Sequence, residues 1–396
     1  MRMKKYILGT AFFLLSLLVG SDSYAYRIGF FEFRPSLAVT ESYSDNVFCT
    51  NKDVVGGFTT VISPGFNIEL PMVKVTKDRS RYHFDMQFRL DLDEFNNYTA
   101  SNGVGNIVRN GVGYIAMAKF GYEMPSTGIT LDVYELFRRA HDPFSVNVSN
   151  QIDWYNENAV TASLGYKFSN RYKIRFDFTN HIINYDADRV SYRNETDNTI
   201  AGYFYYAFTP KVSAFVEYQG VKFDYNDDVL NNTEQYLYGG IEWDVTAKTK
   251  GTIKAGYESK KFDDPSLGKH KDFAFSADIN HNFDPKNSVM LTAYRRPNAT
   301  NAFDASFYMT TGFLLQYYHR ITGKIDARGD LSYGNDKYFG GIPRTDNTWS
   351  GAIWLFYQIK RWLRVELGYM YTNRNSNIDE FTYKSNQVWV TLRATP

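Results

Sequence analysis

The chain has 396 residues, of which 17% are aromatic (32 Tyr, 31 Phe, 6 Trp), and 44 Lys and Arg against 43 Asp and Glu leave a net charge of +1. Near neutrality argues against a nucleic-acid binder, which needs a clustered basic surface, and so high an aromatic content excludes intrinsic disorder. A single cysteine, Cys49, excludes an intrachain disulfide framework and a cysteine-rich zinc site. Tyr and Phe at this density, with 28 Gly and only 11 Pro, point to many β-strands carrying aromatic girdles.

The first predicted element is an export signal at residues 1–25. Arg2, Lys4 and Lys5 precede an apolar run from Ile7 to Val19, and Ser23-Tyr24-Ala25 places small residues at both specificity positions of a signal-peptidase site. The exported chain is expected to start at Tyr26 and to form a single domain over 26–396. Beyond Tyr26 no stretch approaches the ~20 apolar residues of a transmembrane helix. The product is therefore periplasmic, secreted or a closed barrel.

Taken in chain order, the later segments alternate with period two, as a strand with one face on lipid and one on water must. From Tyr82 to Leu92 one face reads Tyr82, Phe84, Met86, Phe88, Leu90, Leu92 and the other His83, Asp85, Gln87, Arg89, Asp91. Similar readings hold for Tyr172–Phe178, Lys211–Tyr218, Thr252–Tyr257 and Phe273–Phe283. Lys324–Tyr333 opposes Ile325, Ala327, Gly329, Leu331 and Tyr333 to Lys324, Asp326, Arg328, Asp330 and Ser332. In Leu363–Tyr371, Leu363, Val365, Leu367, Tyr369 and Tyr371 oppose Arg364, Glu366, Gly368 and Met370.

Short turns recur at roughly 37 to 40 residues, as at Phe168–Arg171, Phe208–Lys211, Val245–Lys248, Phe283–Lys286, Arg320–Gly323 and Gln358–Arg361, so the repeat unit is a hairpin. Longer polar loops lie between them, among them Asp224–Asp228, Asp263–Gly268, Arg296–Thr300 and Asn375–Asp379. With earlier turns near Thr76–Arg79 and Pro125–Thr127, about eight short turns and nine long loops give about 18 strands. The expectation is an all-β fold, a transmembrane antiparallel up-and-down β-barrel of 16 to 18 strands. A soluble sandwich or propeller also alternates, but its inner face has to be apolar, and the polar face here is too uniformly charged to be a core.

Arg34-Pro-Ser-Leu37, Tyr43-Ser-Asp-Asn-Val-Phe48, Ile62-Ser-Pro-Gly65, Asp132-Val-Tyr134 and His141-Asp-Pro143 together resemble the outer-membrane β-barrel family found with extracellular-polysaccharide export and exosortase loci. The likeness runs over the chain after residue 25. It implies a porin-like barrel, passage of carbohydrate outward, and other polysaccharide-export proteins as partners. Ser63-Pro64-Gly65 is expected to bend its strand near the rim, where Pro and Gly are tolerated. One departure from the pattern is the end of the chain, Val388-Trp-Val-Thr-Leu-Arg-Ala-Thr-Pro396, where barrels of this kind finish on an aromatic residue.

No catalytic or metal motif stands out in the sequence. Six scattered histidines, with His83 and His181 on lumen faces, His141 and His270 in loops and His281 and His319 near short turns, lack metal-ligand spacing. There is no Gly-x-Ser-x-Gly elbow. Gly111-Val-Gly-Tyr-Ile-Ala116 has the letters of a dinucleotide fingerprint but no helix pattern after it, and Asp224–Asp228 starts like a calcium loop but has Val229 and Gln235 where Gly and Glu are needed. Cys49 reads as an incidental thiol. No enzyme activity, cofactor or metal is expected.

Function is expected in the lumen. The predicted pore-lining cations are Arg89, Lys173, Arg175, Lys254, Lys324, Arg328, Arg364 and Arg393, and the anions Asp85, Asp91, Asp177, Glu217, Glu242, Glu258, Asp326, Asp330 and Glu366. Such a balance imposes no strong ion selection by net field. Tyr134, Tyr205, Tyr238, Tyr308 and Trp389 are expected to offer flat faces to sugar rings, while the charges exchange hydrogen bonds with hydroxyls or pair across neighbouring strands. The outer wall is expected to meet outer-membrane lipids and lipopolysaccharide. Carbohydrate export, a general or sugar-selective uptake porin, and a plugged structural or adhesive barrel all fit these features.

Overall fold

The structure, a computed structural model, describes residues 26–74, 80–96, 111–142, 152–246, 248–300, 305–341 and 343–395. The export signal at 1–25 and the turn at Thr76–Arg79 lie outside the described residues. Nineteen strands follow one another: β1 (Tyr26–Ile28), β2 (Phe31–Ser44), β3 (Gly57–Lys74), β4 (Arg81–Asn96), β5 (Gly111–Met124), β6 (Ile129–His141) and β7 (Trp154–Lys167). Next come β8 (Tyr172–Tyr185), β9 (Glu195–Thr209), β10 (Val212–Tyr225), β11 (Asn232–Thr246), β12 (Thr249–Phe262) and β13 (Lys269–Asp284). The last are β14 (Asn287–Asn298), β15 (Phe307–Arg320), β16 (Ile325–Phe339), β17 (Thr345–Lys360), β18 (Leu363–Ser376) and β19 (Tyr383–Ala394).

Each strand from β2 to β19 pairs antiparallel with its chain neighbours, and β19 returns to β2 with Val388 opposite Tyr43 and Leu392 opposite Val39. The result is a closed barrel of 18 strands, which removes every sheet edge. The short β1 hairpins back onto β2, with Tyr26 opposite Phe33. No helix among the described residues is long and apolar enough to cross a membrane; the chain crosses with strands of about 14 residues, roughly 35 Å at the usual tilt.

The predicted parity holds around the wall. Val388, Val390 and Leu392 on β19, Leu367 and Tyr369 on β18, and Ile353 on β17 are exposed on the outside, Ile353 at 66%. Glu366 on the opposite face is buried by inward neighbours. Direct cross-strand partners share a face, so the register carries this assignment from strand to strand. Lys324 departs from it: it is exposed in the turn before β16, where its carbonyl accepts from the Gln358 amide, and so belongs to the short-turn rim and not to the lumen wall.

Ser63-Pro64-Gly65 also differs from expectation, since it lies inside β3 and away from the rim. Pro64 has no N–H to donate, and the β3–β4 pairing skips from Ile62–Leu92 to Gly65–Arg89. A Cβ on Gly65 would stand 2.5 Å from the Phe88 carbonyl oxygen, so glycine allows the strands to close again beyond the interruption.

The candidate pore lumen

The inward face is a lattice of charge pairs, several of them between successive inward residues of one strand. Arg89 meets Asp91 at 2.9 Å, Arg175 meets Asp177 at 3.0 Å and Arg328 meets Asp330 at 3.0 Å. Arg364 meets Glu366 at 2.5 Å, and Arg393 of β19 reaches the same carboxylate at 2.9 Å. Asp326 pairs with Arg320 at 3.3 Å, and Asp85 accepts from Asn67 and Gln87, each at 3.2 Å. Glu242 shares the inward face of β11 with Tyr238.

The Lys254–Glu217 pair crosses a whole strand. Lys254 of β12 lies opposite Gly240, and its ammonium reaches over β11 to both oxygens of Glu217 on β10 at 2.8 Å. Gly240 supplies no side chain in the way; a Cβ there would stand 2.4 Å from the Phe215 ring. Glu217 is 1% exposed and Lys254 covers the Tyr238 ring at 4.4 Å. Lys173 lies over Tyr205 at 4.1 Å and Arg175 over Tyr203 at 4.0 Å.

This packing divides the predicted aromatic platforms. Tyr205 and Tyr238, at 3% and 7% exposure, are buried in the wall beneath cations and brace it. Tyr134 stays half-buried, with Lys119 5.6 Å from its ring centre, and Tyr308 pairs with Tyr338 at 5.0 Å. Trp389 stays half-buried over Gly368, where a Cβ would stand 2.0 Å from the indole, and meets Trp354 edge-on at 4.4 Å. Trp354 donates from Nε1 to Asp330 at 3.2 Å and carries Arg328 at 4.3 Å over its ring. Trp354 was not among the predicted lining residues, although its cross-strand position opposite Arg328 follows from extending the same parity one strand further.

The mouth at the long-loop end is built by groups far apart in sequence. Val47 and Phe48, in the loop after β2, pack with Val55, with Phe95 of β4 and with Ile152 before β7. Below this contact a cavity of about 380 Å³ is lined by Thr40, Ser63, Arg89, Asp91, Trp154 and Arg393, among others. His141, placed in a loop by the sequence reading, closes β6 and stacks edge-on against Trp154 at 5.1 Å. His270, also expected in a loop, lies in β13 beside Phe339 at 4.7 Å. Both are held by strand pairing that extends beyond the membrane-facing alternation.

His181 is likewise more elaborate than a solvated lumen histidine. Its Nδ1 meets Asp197 at 2.6 Å and its Nε2 meets Glu157 at 3.0 Å, with Arg138 on the far side of Glu157. With Asp197 and Glu195 it forms a group of the kind that could hold a metal ion. The residues come from adjacent strands, so no spacing along the chain could reveal it. Glu258 is buried against its neighbours, with His270 3.8 Å from its carboxylate.

Cys49 sits in the loop after β2, and burial pushes its thiol up to about 11. At pH 8 roughly one thiol in a thousand is then ionised. Alkylation of the folded protein followed by mass shift is expected to be far slower than in urea, and its rate to climb about tenfold per pH unit towards pH 11. Equal rates in the folded and denatured protein would contradict this.

The crystal structure of OccAB4 from Acinetobacter baumannii is similar over 93% of this chain and 98% of its own, at 13% identity and a TM-score of 0.48. A BenF-like porin from Pseudomonas fluorescens Pf-5 is similar over 93% and 100%, at 8% identity and a TM-score of 0.49. OpdK of Pseudomonas aeruginosa, solved with vanillate, is similar over 92% and 98%, at 10% identity and a TM-score of 0.47. No curated protein sequence matches the chain. A family profile described as "Putative beta-barrel porin 2" matches residues 130–395, from the start of β6 to the end of β19. With a closed 18-strand barrel, an outward apolar belt and a charged interior behind that match, the chain belongs to this family of outer-membrane β-barrel porins.

Proposed function

We propose that the protein is a channel for carbohydrate across the outer membrane, serving export of extracellular polysaccharide together with other export proteins. The observation that carries the carbohydrate reading is the half-buried Trp354–Trp389 pair, set among the Arg328–Asp330 and Arg364–Glu366–Arg393 pairs. Flat aromatic faces bordered by fixed donors and acceptors suit a pyranose ring, and paired charges leave little net field to hold an ion. The outward direction follows from the resemblance of the short motifs quoted above. The protein's own chemistry is solute positioning; no bond making is assigned to it.

Uptake of small solutes is the second reading. It is favoured by the contact of Val47 and Phe48 with Ile152 and Phe95 at the long-loop end, and by the cavity of about 380 Å³ that Trp154 and Arg89 help to line. A deletion strain separates the two. Export predicts loss of surface polysaccharide with growth on limiting sugars intact, and uptake predicts the reverse; a strain unchanged in both respects removes carbohydrate transport as the function.

A further inference from the structure

The outside of β10 to β13 carries three successive rungs of outward side chains. The lowest joins Tyr218, Leu237, Tyr257 and Phe273 by direct cross-strand pairing, and Tyr257 is 75% exposed. The next joins Gly220, Gln235, Ser259 and Lys271, and the third, beside the long loop after β12, joins Lys222, Thr233, Lys261 and Lys269. A groove of about 700 Å³ lies over the lower two rungs, bounded by Tyr218, Leu237, Tyr257, Phe273, Ser259 and Lys271. It is open on the β10 side, where a Cβ at Gly220 would meet nothing within 4 Å.

The outward lysines over this groove are in part unanswered. Lys222 is engaged by Asp263 at 2.6 Å and Asp224 at 3.5 Å. Among the described residues, no carboxylate lies within 4.0 Å of the ammonium groups of Lys261, Lys269 or Lys271. Lys261 and Lys269 are direct cross-strand partners, an arrangement of like charges that is unfavourable by itself and relieved by an anion between them. Elsewhere on the outer wall, the rung through Glu41, Thr60 and Glu94 on β2 to β4 carries carboxylates, so the wall is not basic throughout. Exposed aromatics mark the membrane–water boundary of a barrel, and lysines one and two rungs above them stand at the height of lipid headgroups on the long-loop side, the outer leaflet.

We propose that this face seats one lipopolysaccharide molecule of the outer leaflet, its lipid A phosphates on Lys261, Lys269 and Lys271 and its acyl chains along Tyr218, Leu237, Tyr257 and Phe273. Ammonium–phosphate hydrogen bonds are charge-assisted, while the aromatic rung gives the chains an apolar bed. The site is independent of what passes through the lumen.

Purified barrel in detergent is titrated with lipopolysaccharide, and in parallel with the same lipid stripped of its lipid A phosphates. Binding is read by native mass spectrometry, and folding by heat-modifiable gel mobility. The combined variant Lys261→Gln, Lys269→Gln, Lys271→Gln is expected to bind intact lipopolysaccharide at least about tenfold more weakly, while Lys286→Gln in a turn at the opposite rim binds as the wild type does. The wild type is expected to lose a similar factor on the dephosphorylated lipid, and this comparison decides alone if the triple variant does not fold. Unchanged binding by the folded triple variant, or equal wild-type binding of both lipids, overturns the proposal.

Discussion

Leu367→Arg is expected to destabilise the barrel by about 2 to 4 kcal/mol, the cost of a guanidinium facing lipid near the midplane of a bilayer. Leu367 faces outward as the fifth residue of β18 from its short-turn end, with Leu355 and Val390 as direct neighbours on the same face. No acid among those partners is placed to answer the charge. The contrasting variant is Asp278→Arg on β13. Asp278 faces the lumen, is exposed there and, among the described residues, accepts side-chain hydrogen bonds only from Ser276 at 3.3 Å and Thr292 at 3.0 Å. An arginine at that position remains in water, so the barrel is expected to fold with a loss of no more than about 1 kcal/mol. Urea unfolding in lipid vesicles, followed by heat-modifiable mobility, measures both. Equal destabilisation by the two substitutions would mean that the inside and outside faces are wrongly assigned on at least one of these strands. Glu366, the residue beside Leu367, is a poor control: it lies between Arg364 and Arg393, and its loss leaves two cations facing each other.

What the sequence made legible was whatever repeats along one strand. The alternation at Tyr82–Leu92, at Phe273–Phe283 and at Leu363–Tyr371 is a property of neighbouring residues, and the pleat converts it directly into two faces. Strand number followed because turns and loops alternate in the same linear record. What was hidden depends on residues that meet only after the sheet closes. Glu217 and Lys254 pair because Gly240 lies between them on an intervening strand, a relation visible only once the register of β10, β11 and β12 is known. His181 gathers Glu157 and Asp197 from the strands on either side for the same reason. Tyr238 illustrates a subtler limit, since parity puts it on the inward face of β11 but cannot tell that Lys254 covers it. Lys324 failed at an element boundary, where alternation continues into the turn by coincidence. The mouth was hidden because Val47, Phe48 and Ile152 sit in loops, whose packing no periodicity encodes.

The test of solute recognition follows from that division of the aromatics. An 18-strand barrel leaves an aqueous interior unless its loops fill it, so the protein is expected to conduct ions in planar bilayers, with weak selectivity because its lumen charges are paired. Oligosaccharide added to the bath is expected to block that current in a concentration-dependent way. Replacing Trp354 and Trp389 together by Ala removes both half-buried indoles while leaving the Arg364–Glu366–Arg393 contacts in place. Two stacking faces at about 0.5 to 1.5 kcal/mol each correspond to a loss of roughly tenfold or more in blocking affinity. Open conductance should rise modestly as bulk leaves the lumen. Tyr238→Ala separates a platform from a brace: Tyr238 is buried under Lys254 and stacked on Tyr236 at 5.6 Å, so its removal is expected to lower thermal stability and to leave sugar block nearly unchanged. If block weakens equally in both variants, the indoles act through wall integrity and not by contact with sugar. If no sugar blocks the wild-type current at all, the barrel stands as a pore and the carbohydrate assignment falls.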